Sequence, residues 1–364
     1  MSWSAQQDAA LRAVDAWLKE GEPQVFRLFG FAGTGKTTLA RHVAEHVDGD
    51  VAFGAFTGKA ASVMRSKGCA DASTIHAMIY RSREGDEEAG PLFTLNKSGP
   101  AAKADLIVID ECSMVDEELG RDLLSFGKKV LVLGDPAQLP PVKGGGFFTE
   151  AEPEMMLTEV HRQAADNPIV HLSMLIRDGG RLDYGSFGES RVIRRGEIDP
   201  QTVMGADQVL VGMNKTRRLY NGRIRELKGF RDPYPAADEK LVCLRNDKSK
   251  GLLNGGLWSV QEAKHWPNRD LVVMRVSPEE NPRHTVKVEV PSAFFEGTED
   301  ALPYAARRES DEFTYGYALT VHKAQGSQWD DVVLFDESFA FREHRGRWLY
   351  TGLTRAAERV VVVR

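Results

Sequence analysis

The sequence is poor in cysteine. Cys69, Cys112 and Cys243 are scattered along 364 positions. An odd number without metal-type spacing excludes a disulfide framework and a zinc module, and a reduced, cytoplasmic compartment is expected. Long apolar runs are missing too. None reaches the ~18 residues that a membrane span needs. The first ten residues have no basic-then-apolar signal order, so no membrane partner is expected. Repeats and low-complexity tracts are also lacking, which removes solenoids and disordered linkers. Nor is there an excess of positive charge. With 47 Lys and Arg against 53 Asp and Glu the net charge is −6, which argues against a basic nucleic-acid coat protein. A hydrophobic content of 42% and a charged content of 27% are those of a globular protein, and the length suggests two or three domains.

The most informative stretch present is Gly30-Phe31-Ala32-Gly33-Thr34-Gly35-Lys36-Thr37-Thr38. It has the G-x-x-x-x-G-K-[ST] spacing of a phosphate-binding loop. Before it, Val25 to Phe29 reads as a buried strand; after it, Leu39, Ala40, Val43, Ala44 and Val47 recur at helical spacing. Gly30, Gly33 and Gly35 let backbone N–H groups turn inward around a phosphate, and the helix N-terminus adds partial positive charge. Lys36 in a first helical turn stands at the unfavourable end of the dipole, which an anion would justify.

Strands alternate with helices to about residue 180, including Val51 to Phe56, Leu106 to Ile109 and Val130 to Leu133. This pattern implies a doubly wound α/β domain. Residues 81–103 lose the periodicity around a small apolar island, Leu92 to Leu95, and read as a short hairpin. A second α/β region starts at Val209. It is interrupted from Glu239 to about Phe295 by short strands with turn signals at Asn254-Gly255-Gly256 and Pro267-Asn268, an all-β insertion that reads as a small barrel. It resumes at Val332 and closes on Val360 to Val363. The expected organisation is a first α/β domain over 1–80 and 104–190, a hairpin insertion at 81–103, a second α/β domain over 191–238 and 301–364, and a β-barrel insertion at 239–300.

Carboxylates end one apolar strand at Asp110-Glu111. That placement lifts them to the carboxyl edge of the sheet beside the phosphate loop. Asp110 would hold Mg²⁺ together with the Thr37 hydroxyl, and Glu111 would orient and deprotonate water. Gln138, in Gly134-Asp135-Pro136-Ala137-Gln138, could touch both a γ-phosphate and that water, or be a plain loop residue. Arg162 and Arg355 end two further motifs, and guanidinium matches the charge that builds on a transferring phosphoryl group. A basic run from Asn214 to Arg231 is either a solvated helix face or an anion-binding one. Asn214-Lys215-Thr216-Arg217 lacks the aspartate of a guanine-reading motif, which removes a GTPase switch from consideration.

In this order the motifs resemble superfamily 1 helicases of the RecD-like branch. The matching stretches include Ser4-Ala5-Gln6-Gln7, the phosphate loop, Thr57-Gly58-Lys59, Ser73-Thr74-Ile75-His76, Asp110-Glu111, Gly134 to Pro141, Glu159-Val160-His161-Arg162, Asn214-Lys215, Leu319 to Ser327 and Thr351 to Ala356. The resemblance implies two RecA-like parallel-sheet domains with ATP between them, a pin inserted in the first and an SH3-like barrel in the second. It implies that Gln7 reads adenine, that Lys36 and Thr38 with the loop and Gln325 bind nucleotide, and that Arg162 and Arg355 reach the γ-phosphate. Thr57, Lys59, Thr74, His76, Asn214, Thr320, His322 and Lys323 would hold single-stranded DNA, and Phe93 would stand at the fork. Hydroxyls and amides grip phosphates without reading sequence. The expected function is a monomeric ATP-dependent DNA helicase or translocase moving 5′ to 3′ on single strands and forks, with replication or recombination proteins as candidate partners. The alternative is an RNA helicase, or a translocase that does not separate strands. The barrel remains a partner module, a DNA clamp or a steric closure, with Trp258 and Trp266 either its core or exposed stacking rings.

Overall fold

Alternation of apolar side chains sets the first sheet. In β6 (Leu106–Asp110), Leu106 and Val108 face one way and Ile107 and Ile109 the other. In β7 (Lys129–Gly134), Leu131 and Leu133 oppose Val130 and Val132. Both faces are therefore covered, as continuous apolar strands of a parallel sheet require. In this computed structural model, residues 3–83, 92–141, 145–159, 167–247, 249–279 and 281–364 are described. The other strands of the first sheet are β1 (Val25–Gly30), β2 (Val51–Ala55), β3 (Ser73–Thr74) and β8 (Met155–Leu157). Its order is β3-β2-β6-β7-β1-β8, and every pairing is parallel.

Helices α1 (Ala5–Lys19) and α2 (Lys36–Ala44) put Ala10, Val14, Trp17, Leu39 and Val43 on one face of that sheet. Helices α3 (Gly58–Ser66), α4 (Ile75–Ile79), α5 (Glu117–Leu124) and α6 (Pro168–Arg177) also lie in this part of the chain. α4 and α5 bring Ile75, Met78, Ile79, Leu119 and Leu123 to the opposite face. β4 (Tyr80–Arg83) pairs antiparallel with β5 (Leu92–Leu95), Ser82 lying opposite Phe93.

The chain forms two units. The first takes the residues before 85, Leu92–Arg181 and Glu343–Thr354; the second takes Leu182–Arg342 and Arg355–Arg364. Two boundaries differ from the sequence reading. The second unit starts at Leu182, not 191, because β9 (Gly185–Phe187) and β10 (Ser190–Ile193) belong to its sheet, Arg191 pairing with Val361. The helix Arg345–Leu353 groups with the first unit and packs on α6. Its residues Trp348 to Leu353 are all buried, so no polar face marks which sheet it serves.

In the second unit, β11 (Gln208–Val211), β17 (Ala318–Thr320), β18 (Trp329–Phe335) and β19 (Ala356–Val363) join β9 and β10 in the order β17-β11-β18-β19-β10-β9. The pairs are parallel except β9 with β10. The insertion is an antiparallel sheet in the order β15-β14-β13-β12-β16. Its strands are β12 (Lys240–Cys243), β13 (Leu257–Trp266), β14 (Leu271–Pro278), β15 (Val286–Pro291) and β16 (Phe313–Tyr315). β16 lies beyond the expected limit of 300. Just before it, Asp311 links to β15: its N–H donates to Glu289 O at 2.8 Å, and its Oδ2 accepts from Glu289 N at 2.9 Å.

A buried ion pair fixes the insertion. Arg225 Nε and Nη2 donate to Glu239 Oε1 and Oε2 at 2.7 and 2.9 Å, and Nη2 also donates to the carbonyls of Asp232 and Tyr234. Glu239 is fully buried and Arg225 nearly so. The basic run is thus partly structural. Arg217 is buried as well, while Arg218 and Arg223 pair with Glu299 and Glu226. Trp258 is a core residue at 3% exposure, whereas Trp266 stands out at 42%.

Candidate active site

The phosphate loop forms where β1 ends, at the carboxyl edge of the first sheet and one strand in from β8. Its backbone needs glycine at defined points. Gly33 and Gly35 have φ of +80° and +83°, values that side-chain-bearing residues adopt only at a cost. At Gly30, a Cβ would lie 2.6 Å from Thr34 Oγ1 and 2.8 Å from Leu157 Cβ. The Thr34 hydroxyl, itself buried, donates to Phe31 O at 2.8 Å and pins the loop internally.

Lys36 opens α2 and bends back over the loop, its Nζ donating to Gly30 O at 2.7 Å and to Phe31 O at 3.0 Å. Thr37 follows, and its hydroxyl donates to Asp110 Oδ2 at 2.8 Å. The other Asp110 oxygen accepts from Glu111 N at 2.8 Å. The strand-end carboxylate and the helix hydroxyl read from the sequence therefore meet. Glu111 itself sits at φ 53°, ψ 45°. A left-handed glutamate costs about 1–3 kcal/mol, and such strain concentrates where a side chain must be aimed rather than packed. Thr38 is the next residue of α2, half-buried.

Gln7 locks the other side of the loop. It belongs to the capping box of α1, with Oε1 accepting from Ser4 N, while its Nε2 donates to Thr34 O at 3.1 Å. Its neighbour Gln6, not singled out by sequence, ties α1 to the end of β8. Gln6 Nε2 donates to Met156 O, and Oε1 accepts from Thr158 N and Glu159 N. Arg177 covers the loop by stacking on Phe31, 4.0 Å from the ring centre.

After β7 the chain turns through Asp135, whose Oδ1 accepts from Ala137 N at 3.0 Å. Gln138 is 6% exposed, and its Oε1 has no hydrogen-bond partner among the described residues. Two residues of the helix Arg345–Leu353 hold this turn, and the sequence reading gave neither a role. Tyr350 Oη donates to Asp135 Oδ2 at 2.6 Å and accepts from Ala32 N at 3.4 Å; Thr351 Oγ1 accepts from Leu139 N at 2.9 Å. The available signal is a hydroxyl pair inside the buried, otherwise apolar stretch Trp348 to Leu353.

The residues fit a magnesium nucleotide. Thr37 and Asp110 are hard oxygen donors, few enough to leave positions for phosphate and water. The Lys36 amine rests on loop carbonyls that a phosphate would replace, and the orphaned Gln138 Oε1 lacks a donor. Among the described residues no cluster of three or more His, Cys, Asp or Glu is placed to hold a metal by itself.

The other sequence candidates of the first unit lie along the same carboxyl edge. Thr57 caps α3 by accepting from Ala60 N, and Thr74 caps α4 by accepting from Ala77 N. Among the described residues, neither hydroxyl proton has an acceptor. Lys59 is half-buried in α3. His76 lies against Phe56 and Tyr80; desolvation lowers its pKa, opposed by Asp116. Arg162 and the Phe93 side chain lie outside the described residues.

In the second unit, Thr320 ends β17 beside Val211 at the end of β11, three residues before Asn214. Thr320 Oγ1 accepts from Lys323 N at 3.3 Å, and His322 packs on Phe341 with ring centres 5.3 Å apart. Desolvation, then the charge of Arg217, lowers the pKa of Lys323. Asn214 is exposed at the start of its helix, where Oδ1 accepts from Arg217 Nε at 3.4 Å. Gln325 is buried, and Arg355 is buried with Nη1 donating to Ser327 O at 3.1 Å.

The AAA domain family matches residues 2–196, and the UvrD-like helicase C-terminal domain matches 315–363. The ATP-dependent RecD2 DNA helicase of Deinococcus radiodurans is 31% identical over 370 residues, covering 91% of this chain and 46% of that protein. The ATP-dependent DNA helicase dda of Enterobacteria phage T4 is 31% identical over 180 residues, 45% of this chain and 40% of the relative. The chain thus spans less than half the length of these two relatives. In fold, it is similar to a Bacteroides Pif1 helicase crystallised with ADP-AlF3 and ssDNA. The TM-score is 0.60 at 18% identity, with 100% of this chain and 92% of the other covered. No described helix is long and apolar enough to cross a membrane. With more than half of its length matched by the AAA domain family, and with RecD2 and Dda among its relatives, the chain belongs to that family, in the RecD-like branch of superfamily 1 helicases.

Proposed function

We propose that this chain is an ATP-driven DNA motor that moves 5′ to 3′ along a single strand and opens forks. The observation that carries the reading is the 2.8 Å pairing of Thr37 with Asp110 beside a lysine held over a glycine loop. This reading assigns the following roles. Lys36 leaves the Gly30 and Phe31 carbonyls for the β- and γ-phosphates. Thr37 and Asp110 hold Mg²⁺, which when bound neutralises charge on the phosphate oxygens. Glu111, aimed by its left-handed backbone, orients and deprotonates the attacking water, and Gln138 senses that water and the γ-phosphate. Arg162 and Arg355 stabilise the charge on the transferring group, and Gln7 and Gln325 complete the nucleotide contacts.

DNA is assigned to the carboxyl edges of the two parallel sheets. Thr57, Lys59, Thr74 and His76 hold phosphates on the first, and Asn214, Thr320, His322 and Lys323 on the second. Support comes from chemistry: each edge offers hydroxyl, amide or imidazole donors with few ionised groups, which suits a track that must be released at every step. The β4–β5 hairpin acts as the pin with Phe93 near the fork, and the five-stranded insertion is the SH3-like barrel. Strand displacement on forks with either a 5′ or a 3′ single-stranded tail, in DNA and in RNA, tests the reading. Displacement of 5′-tailed DNA alone is expected; displacement of only 3′-tailed or only RNA substrates would overturn the assignment.

A further inference from the structure

The outer face of the insertion sheet carries a group of side chains that the nucleotide site does not use. Along β13, Trp258 and Val260 enter the core. Past the irregularity between Val260 and Glu262, the outward positions are Glu262, Lys264 and Trp266. Trp266 ends the strand with 42% of its surface exposed. Two cations attend it: Lys264 Nζ is 4.7 Å and Arg269 Cζ 5.8 Å from the ring centre. Among the described residues neither is ion-paired, nor is Arg275, which lies across the ladder from Glu262. Among the described residues, the salt bridges on this face join Lys287 to Glu289 at 2.8 Å and Lys240 to Glu279 at 3.2 Å. The face therefore keeps unspent positive charge in a chain whose net charge is −6.

An exposed indole flanked by unpaired cations has the chemistry of a stacking platform. The ring offers a flat apolar surface to a base, and the cations offer charge to the phosphates on either side. We propose that the outer face of this sheet holds a nucleobase-stacking site for single-stranded nucleic acid, with the base on Trp266 and the flanking phosphates on Lys264 and Arg269. The site deepens the motor reading and rests on it, since a single strand must be a ligand of this chain. It lies on the insertion, apart from the residues assigned to ATP.

The test is fluorescence anisotropy of the full chain with labelled oligo-dT and, separately, a blunt DNA duplex with the same number of phosphates. Base stacking is worth ~1–3 kcal/mol by alanine substitution, so Trp266→Ala is expected to weaken oligo-dT binding about 5- to 150-fold. Trp266→Phe, which keeps a ring, restores part of it, and duplex binding is unchanged by either variant. ATPase activity without DNA stays at the wild-type level, since Trp266 touches no nucleotide residue. Oligo-dT affinity unchanged in Trp266→Ala would overturn the site while leaving the motor reading standing. Equal loss on single strand and duplex would make the face a charge patch and overturn stacking. Wild type that binds no single strand would remove both readings.

Discussion

Replacing Tyr350 by phenylalanine deletes one oxygen at the junction of the phosphate loop and the turn after β7. Tyr350 and Asp135 are each 2% exposed, and the hydroxyl donates to the Asp135 carboxylate at 2.6 Å. A hydrogen bond to a charged group contributes about 1.5–3 kcal/mol, and both partners here are buried. Thr351→Val acts on the same turn by removing the hydroxyl that accepts from Leu139 N, a hydrogen bond of about 0.5–1.5 kcal/mol. In urea, with a slope on the order of 2–3 kcal/mol/M, Tyr350→Phe should lower the midpoint of the transition that reports the first unit by about 0.5–1.5 M. Tyr304→Phe, at an exposed tyrosine, should lower nothing. Lys36, Thr37 and Asp110 keep their contacts, so titration with a fluorescent ATP analogue should still show binding. Midpoints for Tyr350→Phe and Thr351→Val both equal to wild type would refute the claim that this helix secures the turn.

Other predictions follow from individual contacts. Glu111→Gln should bind nucleotide normally yet stop turnover; hydrolysis at the wild-type rate would remove Glu111 from water activation. Arg225→Met strands a fully buried Glu239 and should cost the second unit about 3–5 kcal/mol, read from its urea transition. Because the folded pKa of His76 lies below 6.5, the unfolded chain takes up the proton first as pH falls. Its contribution to stability is therefore undiminished above about pH 6.5 and declines as pH drops toward the folded pKa. His76→Gln should flatten that part of the pH–stability profile.

The glycine loop with its neighbouring carboxylate was legible because the pattern is local. A glycine loop, a lysine and a strand-end carboxylate each need a fixed neighbour in sequence, and Thr37 and Asp110 met as their positions at the sheet edge required. The parallel strands were legible for a similar reason: buried on both faces, they are continuous apolar runs. What local pattern could not show were contacts between distant segments. Tyr350 reaches Asp135 across 215 positions. β16 joins β12 from well beyond the turn-rich stretch that announced the insertion. The two tryptophans of β13 look alike in sequence, yet the shift in register between them helps to send one into the core and the other into solvent. The basic run after Asn214 also misleads, since Arg217 and Arg225 turn inward and carry structure rather than ligand.

Steady-state ATP turnover at low salt, with and without single-stranded DNA, in wild type and Lys36→Ala, bears most directly on the central claim. A loop driven by a DNA track predicts turnover that rises with single strands and fades as salt displaces the phosphate contacts, with none left in Lys36→Ala. Turnover indifferent to DNA, or surviving the loss of Lys36, would contradict it.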